Sequence, residues 1–370
     1  MTERKAFKEF FDRGAVVALG DQVAAASPDF DRESFVNAAG AGLERLEMMD
    51  RVRQMSNALR AHLPESTPAA LEVLTASLPA PLPSCENTTD GYLQWPVGQL
   101  IADHAVDHLD PAWETMVELT QRFSSEFAVR PFVRRYPDEV FARLLALTEH
   151  PSPHVRRWCS EGIRPRLPWG GHLASLIADP SPALPILERL KDDPERYVGR
   201  SVANHLNDIA KDHPDVVLEV CERWSEGADE KRTWVIRHAL RSLSKDGHPG
   251  ALAVLGFRPP TSLSVSLEAA PPVVTLGGKL RLETTLTNGA KRPQKLLVDY
   301  RVHYVKSDGR TRPKVFRWKT LALEAGEGTT LGKTLTLRHA SIRRLYAGAH
   351  RVDVQVNGEV LAETGFELRI

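Results

Sequence analysis

The spacing of hydrophobic residues divides the chain into a helical part followed by a strand part. Between residues 95 and 255, apolar side chains recur at intervals of three and four, as on amphipathic helices, and short turns containing Pro, Asp or Gly separate the segments. From Leu263 onward, apolar and polar residues alternate instead, and turn sequences separate the runs, among them Gly277-Gly278, Asn288-Gly289 and Asn357-Gly358. The pattern predicts a mainly α protein that ends in a β domain.

The predicted helices recur in pairs. The first helix of a pair starts beside a proline, which is tolerated in a first turn, and the second helix carries the sequence Val-x-Arg. The prolines are Pro137, Pro182, Pro214 and Pro249, and the valines are Val155, Val198 and Val235. Helix pairs that recur at about this period are typical of HEAT-like or armadillo-like repeats, so we predict an α-solenoid over residues 1–258.

The alternating region predicts a second domain over residues 259–370. About seven short strands in roughly 110 residues fit an immunoglobulin-like β-sandwich, although the cysteine pair of antibody domains is missing. This region contains 18 Lys and Arg against 10 Asp and Glu, whereas the whole chain has a net charge of +0. A basic module favours a polyanionic partner. The alternative is a β-sandwich that accompanies the helical domain but has no binding role of its own.

Composition excludes several classes of protein. Cys85, Cys159 and Cys221 are widely spaced and odd in number, which fits neither a disulfide framework nor a metal site. The N-terminus is charged throughout, and no apolar run approaches the roughly 18 residues that span a bilayer. We expect a cytoplasmic monomer without membrane contacts. We expect no metal either, because His104 and His108 lie four residues apart but lack a convincing third ligand.

Two of the predicted helices place carboxylates among cations. The polar face of 155–164 carries Arg157, Glu161 and Arg164, and that of 197–211 carries Arg200, Asn204, Asp208 and Lys211. Superposition of the Val-x-Arg sequences brings Glu161 and Asp208 to equivalent faces of neighbouring repeats. Two such carboxylates can stabilise an oxocarbenium ion and orient water, as cleavage of a glycosidic bond requires. The alternative is structural, because Arg157 and Glu161 also have the i,i+4 spacing of a helix salt bridge.

Three motifs resemble a known family. They are SEFAVRPF at 125–132, SEGIRPRLPWG at 160–170 and YVGRSVANHLND at 197–208. They are similar to the HEAT-like-repeat DNA glycosylases of the DNA alkylation repair family, and most of all to its AlkC branch, which adds an immunoglobulin-like domain after the helical repeats. The resemblance covers essentially the whole chain. It departs from the family at Gly199, where relatives often carry a basic residue.

The resemblance implies a monofunctional DNA glycosylase that needs no cofactor. Its substrates would be cationic N3-alkylated bases, such as 3-methyladenine and 3-methylcytosine, in double-stranded DNA, and the lesion would be processed largely within the duplex. By motif position the catalytic residues would be Glu126, Glu161, Asp208 and Trp169, with Arg130 as the i+4 cation of Glu126. A non-catalytic repeat scaffold and a DNA-architecture protein are the alternatives.

The expected DNA contacts are basic and polar side chains that bind phosphates. They are Arg130, Arg157, Arg164, Arg166, Arg200, Asn204, Lys211, Arg237 and Arg241 in the helical region, and Arg310, Arg312 and Arg317 in the strand region. Residues 1–258 would then form a HEAT-like catalytic domain, and residues 259–370 an immunoglobulin-like DNA-binding domain.

Overall fold

The computed structural model describes residues 6–86, 89–340 and 344–370. Within these ranges the chain forms helices first and strands afterwards, as predicted. The α-helices, numbered α1 to α16, are Arg13–Ala26, Arg32–Gly40, Met48–His62, Thr67–Ser77, Trp95–His104, Leu109–Thr120, Arg130–Arg135, Pro137–Ala146, Pro153–Glu161, Ala174–Ala178, Leu184–Leu190, Arg196–Ile209, Pro214–Ser225, Glu230–Ala239, Arg241–Lys245 and Pro249–Val254. Short 3-10 helices cover Phe7–Phe10, Leu43–Arg45, Tyr92–Gln94, Leu147–Glu149 and Ser181–Ala183.

The pairing of helices is clearest from α8 to α14. The first helices α8 and α11 contact each other, while the second helices form a row in which α12 packs between α9 and α14. These second helices carry Val155, Val198 and Val235, which are all buried. The Val-x-Arg pattern therefore marks a helix whose valine packs into the core, so that the arginine two residues later lies on another face.

Helix α9 ends at Glu161, three residues before the predicted end at Arg164. Pro165 explains the difference, because a proline disfavours helical backbone at the residue before it. Glycine is also required at the end of α9: a Cβ added to Gly162 would lie only 2.7 Å from Val129 Cγ1. Arg164 consequently lies in the turn after the helix, where its side chain can reach a neighbouring repeat.

The strand region forms two mainly antiparallel sheets. Its strands, numbered β1 to β8, are Leu263–Ala270, Val273–Thr275, Lys279–Asn288, Gln294–Val305, Thr311–Leu323, Gly328–Thr336, Gly348–Val356 and Glu359–Arg369. One sheet has the order β1-β3-β6 and the other β2-β8-β7-β4-β5. Alternate residues of β3 and β4, among them Leu282, Tyr300 and Val302, fill the core between the sheets. The prediction of an immunoglobulin-like sandwich is confirmed.

By compactness the chain divides into two units. The first comprises Met1–His213 and Asp229–Ala239, and the second comprises Pro214–Ala228 and Leu240–Ile370. Helices α13, α15 and α16 therefore group with the strands, and the predicted domain boundary at residue 258 stays a prediction. No helix in the described ranges is long and apolar enough to cross a membrane. The three cysteines are free thiols.

Candidate active site

Glu161, the last residue of α9, is a buried carboxylate with both oxygens engaged. Its Oε1 accepts a hydrogen bond from Arg164 Nη1 at 2.7 Å and lies 3.4 Å from Arg157 Nη2. Its Oε2 accepts from Ser201 Oγ of α12 at 2.6 Å. The i,i+4 salt bridge expected of Arg157 and Glu161 is thus present, but it is longer than the bond to Arg164. The site fixes this carboxylate from three directions.

Asp208, near the end of α12, is joined to Glu161 through Arg164. Arg164 Nε and Nη2 lie 2.9 and 2.8 Å from Asp208 Oδ2, while Lys211 Nζ donates to Oδ1 at 3.0 Å. Arg164 and both carboxylates are at most 7% exposed. Arg164 therefore bridges two buried anions of neighbouring repeats. Its burial disfavours the DNA contact predicted for it.

Glu126 lies in the turn before α7 and pairs with Arg157, not with Arg130 as predicted. Its Oε2 accepts hydrogen bonds from Arg157 Nη1 and, at 2.9 Å, from Ser124 Oγ. Within the described ranges, Glu126 Oε1 accepts no hydrogen bond. Arg157 lies between Glu126 and Glu161, and its guanidinium also lies over the Tyr197 ring, 5.2 Å from the centroid. The three predicted carboxylates are thus linked by two arginines.

Arg130 is buried, and among the described residues it donates only to main-chain carbonyls. Its Nη1 bonds the oxygens of Gly162 and Arg164, each at 3.0 Å, and its Nε bonds that of Gly171 at 3.0 Å. Burial is the main reason why the pKa of Arg130 falls to about 10. The i+4 pairing with Glu126 was wrong because these carbonyls, 32 to 41 residues away, occupy the side chain. Arg130 holds the segment that carries Arg164 and Trp169.

An aromatic cavity of about 260 Å³ adjoins the carboxylates. Glu126, Glu161 and Arg157 line it, whereas Asp208 does not. Its aromatic walls are Phe7, Trp95, Phe123, Phe127, Trp169 and Tyr197. Of these, only Trp169 was named as a site residue from the sequence. Phe127 and Tyr197 lie within the quoted motifs, whereas Phe7, Trp95 and Phe123 come from other segments and carry no spacing signal. Trp95 is the centre of the wall: it stacks parallel to Phe127 at 5.1 Å and faces Trp169 at 6.3 Å between centroids.

Trp169 has an unusual conformation. Its side chain is 70% exposed, and its φ of 63° lies in the left-handed region that disfavours residues with a side chain. Such backbone persists only where its surroundings impose it, and it is common at functional sites. Here the hydrogen bonds from Arg130 to Arg164 and Gly171 fix the segment on both sides of the tryptophan. The structure thus presents an exposed indole at the edge of the carboxylate cavity.

The surroundings keep Glu161 ionised. Burial alone would raise its pKa, but the charges of Arg157 and Arg164 and the hydrogen bond from Ser201 outweigh that effect and hold the pKa below its ordinary value. The pKa of Arg157 is raised, whereas that of Glu161 is lowered. Burial alone would lower the pKa of Arg157, but the charges of Glu126 and Glu161 outweigh that effect. The cavity therefore contains fixed negative charge, which suits the stabilisation of a cation.

His205 links this site to the acid stability of the protein. It is fully buried on α12, and its Nδ1–H donates to the Ser160 carbonyl at 3.0 Å. Burial, aided by the charge of Arg164, lowers the pKa of His205 from 6.5 to about 3. The unfolded chain therefore binds one more proton than the folded chain between these values. Lowering the pH below about 6.5 is expected to reduce the free energy of unfolding by up to ~1.4 kcal/mol per pH unit.

Chemical denaturation at pH values of about 7, 6 and 5 tests this expectation. His205→Gln should show a shallower dependence of stability on pH than the wild type, whatever its stability at neutral pH. The exposed His172 provides the control, since His172→Gln should leave the dependence unchanged. Parallel curves for the wild type and His205→Gln would contradict the prediction.

The other predicted DNA contacts fall into two groups. Arg200, Arg237 and Arg312 are exposed and have no carboxylate within 4 Å in the described part of the chain. The remainder have interactions within the protein: Arg166 pairs with Asp212, Lys211 with Asp208, Asn204 with His238, Arg310 with Asp308 and Arg317 with the buried Asp299. Arg241 also has an interaction partner. The role of all of them in DNA binding stays a prediction.

Comparison with known proteins gives consistent matches over the chain. A family model described as "Uncharacterised protein YhaZ, C-terminal Ig-like domain" matches residues 264–370. YhaZ of Bacillus subtilis (strain 168) is 33% identical over 367 residues, which cover 98% of this chain and 99% of the relative. The solved structure of Pseudomonas fluorescens alkylpurine DNA glycosylase AlkC, bound to DNA containing an abasic site analog, is 37% identical and superposes with a TM-score of 0.91. That match covers 99% of this chain and 100% of the other.

Proposed function

The protein belongs to the family of the alkylpurine DNA glycosylase AlkC, and on that premise we propose that it excises cationic N3-alkylated bases from duplex DNA. The reaction would be hydrolysis of the N-glycosidic bond, as the first step of base excision repair. 3-Methyladenine and 3-methylcytosine are the proposed lesions. The observation that carries the proposal is the set of carboxylates, Glu126, Glu161 and Asp208, bound to arginines beside an aromatic cavity.

The proposed chemistry requires little acid catalysis. Alkylation at N3 makes the base a cation, so that the C1′–N bond can break with its electron pair leaving on the base, which departs neutral. The deoxyribose then carries positive charge at C1′. Glu161, held ionised by Arg157 and Arg164, stabilises this charge together with Asp208. No cofactor enters the reaction.

The carboxylates can be given different roles from their hydrogen bonds. Both oxygens of Glu161 are occupied by Arg164 and Ser201, so it acts by its charge. Glu126 lines the cavity, and in the described part of the chain its Oε1 accepts no hydrogen bond. We propose that Glu126 acts on the attacking water molecule. Its Oε1 orients the water for attack on C1′, and the Glu126 carboxylate then accepts the proton that the water loses. The products are the free base and an abasic site, and no strand is cut.

Incubation of the protein with duplex DNA containing one N3-methylated base tests the proposal. The expected products are free base and an intact strand that breaks only after treatment with alkali. A scaffold or a DNA-architecture protein would bind the duplex without releasing base. A strand nicked without alkali would contradict a monofunctional mechanism. Excision without full flipping of the base is proposed because the cavity opens at the exposed Trp169 and does not enclose a separate pocket for the base.

Replacement of Trp169 by Leu is expected to slow excision while leaving the fold intact. A cation–π contact with the alkylated base contributes about 0.5–2 kcal/mol, which corresponds to a loss of roughly 2- to 30-fold in rate. Little stability should be lost, because the side chain is 70% exposed. Trp169→Phe, which keeps an aromatic face, should retain most of the activity. A large fall in melting temperature together with a proportionate loss of all functions would instead show that Trp169 only packs the turn.

A further inference from the structure

A second cluster on α12 and α14 lies outside the carboxylate site. The guanidinium of Arg196 lies over the Trp234 ring, 4.2 Å from its centroid. Trp234 stacks on His238 with centroids 4.9 Å apart and planes 12° apart, and His238 Nε2 lies 3.1 Å from Asn204 Oδ1. We call these residues the α12–α14 stack. It connects the first turn of α12 to its middle through the neighbouring helix.

A close approach of the two helices makes the stack possible. A Cβ added to Gly199 would lie 3.2 Å from Val235 Cγ2, which is closer than most real contacts. The glycine therefore lets α14 pack tightly against α12, next to the position of Trp234. The packing of the two helices therefore fixes the backbone that carries Trp234, the residue on which Arg196 lies.

The charge of Arg196 is held in place but not neutralised. Within the described ranges, no carboxylate lies within 4 Å of Arg196 and its guanidinium donates no hydrogen bond to the protein. Other arginines on exposed helix faces are ion-paired, for instance Arg232 with Asp192 and Arg189 with Glu149. Arg200 follows Arg196 by one helical turn; it is exposed as well and has no carboxylate within 4 Å among the residues that the structure describes. Two adjacent guanidinium groups that have no carboxylate partner in the described ranges, one of them fixed on an indole, fit two phosphates, each of which a guanidinium can bind through two hydrogen bonds.

We propose that Arg196, positioned by Trp234, binds a backbone phosphate of the DNA substrate, with Arg200 on the next phosphate. This site rests on the proposed function, which supplies the polyanion, and it adds a residue that the motifs did not mark. Stacking on Trp234 restricts the side chain before binding, so less conformational entropy is lost when the phosphate arrives. Trp234 is a positioning residue in this scheme.

The position of the stack along α12 locates the phosphate. Arg196 precedes Asp208 by twelve residues of α12, which is about 18 Å at a rise of ~1.5 Å per residue. Duplex DNA advances ~3.4 Å per base pair, so that this length spans at most about five base pairs. The phosphate bound by Arg196 should therefore lie within about five base pairs of the lesion, on one side of it.

The salt dependence of binding to undamaged duplex DNA tests this site. Arg196→Gln should weaken binding about fivefold and reduce the slope of log Kd against log salt by about one unit. Trp234→Leu should weaken binding in the same direction, and Trp234→Phe should restore it, provided that melting temperatures stay equal. The control is Arg232→Gln on α14, the helix that carries Trp234. Its guanidinium is already paired with Asp192, so the substitution should change neither quantity.

Duplex length supplies the second readout. If the lesion is at the terminal base pair, no phosphates remain on one side of it, and wild type and Arg196→Gln should then bind equally for one of the two ends only. An unchanged salt slope in Arg196→Gln, together with a reduced slope in Arg200→Gln, would overturn the site and leave the proposed function standing. Absence of base release by the wild type would instead refute the proposed function, and the binding measurements do not depend on that result.

Discussion

Glu161→Gln is expected to slow base release by about 10²–10³-fold in single-turnover experiments. The substitution keeps the shape of the side chain but removes the negative charge that Arg157 and Arg164 maintain beside the cavity. Asp208→Asn should give a loss of similar order, since Asp208 shares Arg164 with Glu161. Binding to undamaged duplex DNA should persist or become tighter, because a negative charge near the phosphates is removed.

Glu149→Gln is a matched control for this experiment. Glu149 is also a glutamate paired with an arginine, Arg189, but both side chains are more than half exposed and neither lines the cavity. Its substitution should leave the rate unchanged. Rates for Glu161→Gln and Asp208→Asn that both stay within about threefold of the wild type would refute the assignment of these carboxylates.

Arg164→Met is expected to have the largest effect on stability, with a loss of about 3–5 kcal/mol in the free energy of unfolding. Methionine occupies a similar volume, but it leaves Glu161 and Asp208 buried without the cation that bridges them. Removing one partner from a buried charge cluster costs more than the cluster contributes, because the remaining charge stays desolvated. Any folded fraction should also excise poorly, since the pKa of Glu161 would rise.

Arg166→Met provides the comparison two residues later. Arg166 pairs with Asp212 at 2.9 Å, but both side chains are about a quarter exposed, so the loss should stay below about 1 kcal/mol. Urea denaturation of both variants measures the difference. If Arg164→Met were no less stable than Arg166→Met, the bridge would not hold the site together, and Arg164 would be available for the DNA contact first predicted for it.

Helical periodicity was sufficient to find two of the carboxylates. The Val-x-Arg repeat placed Val155 and Val198 in the core, and the polar faces of the same helices then contained Glu161 and Asp208. The order of the helical and strand regions followed from the same hydrophobic spacing, and the family followed from three motifs. Spacing predicts such features well because it depends only on neighbours along one helix.

Contacts between distant segments could not be predicted in the same way. Pro165 releases Arg164 from the helix, and the sequence does not show that its side chain then reaches Asp208, 44 residues away. Arg130 was assigned to Glu126 by spacing, whereas three backbone carbonyls of a later turn hold it. The cavity walls Phe7 and Trp95 carry no local signal at all. These features depend on tertiary packing, which overrides local pairing.

The strand region shows a similar limit. Alternation correctly predicted that Tyr300 and Val302 face the core. Alternation did not indicate that the opposite face of β4 contains the buried Asp299, which pairs with Arg317. A count of charged residues includes Arg317 among the cations available to DNA, although the carboxylate of Asp299 in the same sheet partly compensates its charge. Arg312, which is exposed and has no ion-pair partner in the described part of the chain, is the stronger candidate for a DNA contact in this unit.

The charge of the lesion provides the most direct test of the mechanism. Duplexes that differ only in carrying 3-methylcytosine or 3-methylthymine at one position present bases of nearly equal size, of which only the first is a cation. If fixed carboxylates act on a cationic leaving group, single-turnover excision of 3-methylcytosine should be at least ~100-fold faster than that of 3-methylthymine. Equal excision rates for 3-methylcytosine and 3-methylthymine would contradict the account. So would a failure to release any of 3-methylcytosine, 3-methylthymine and 3-methyladenine.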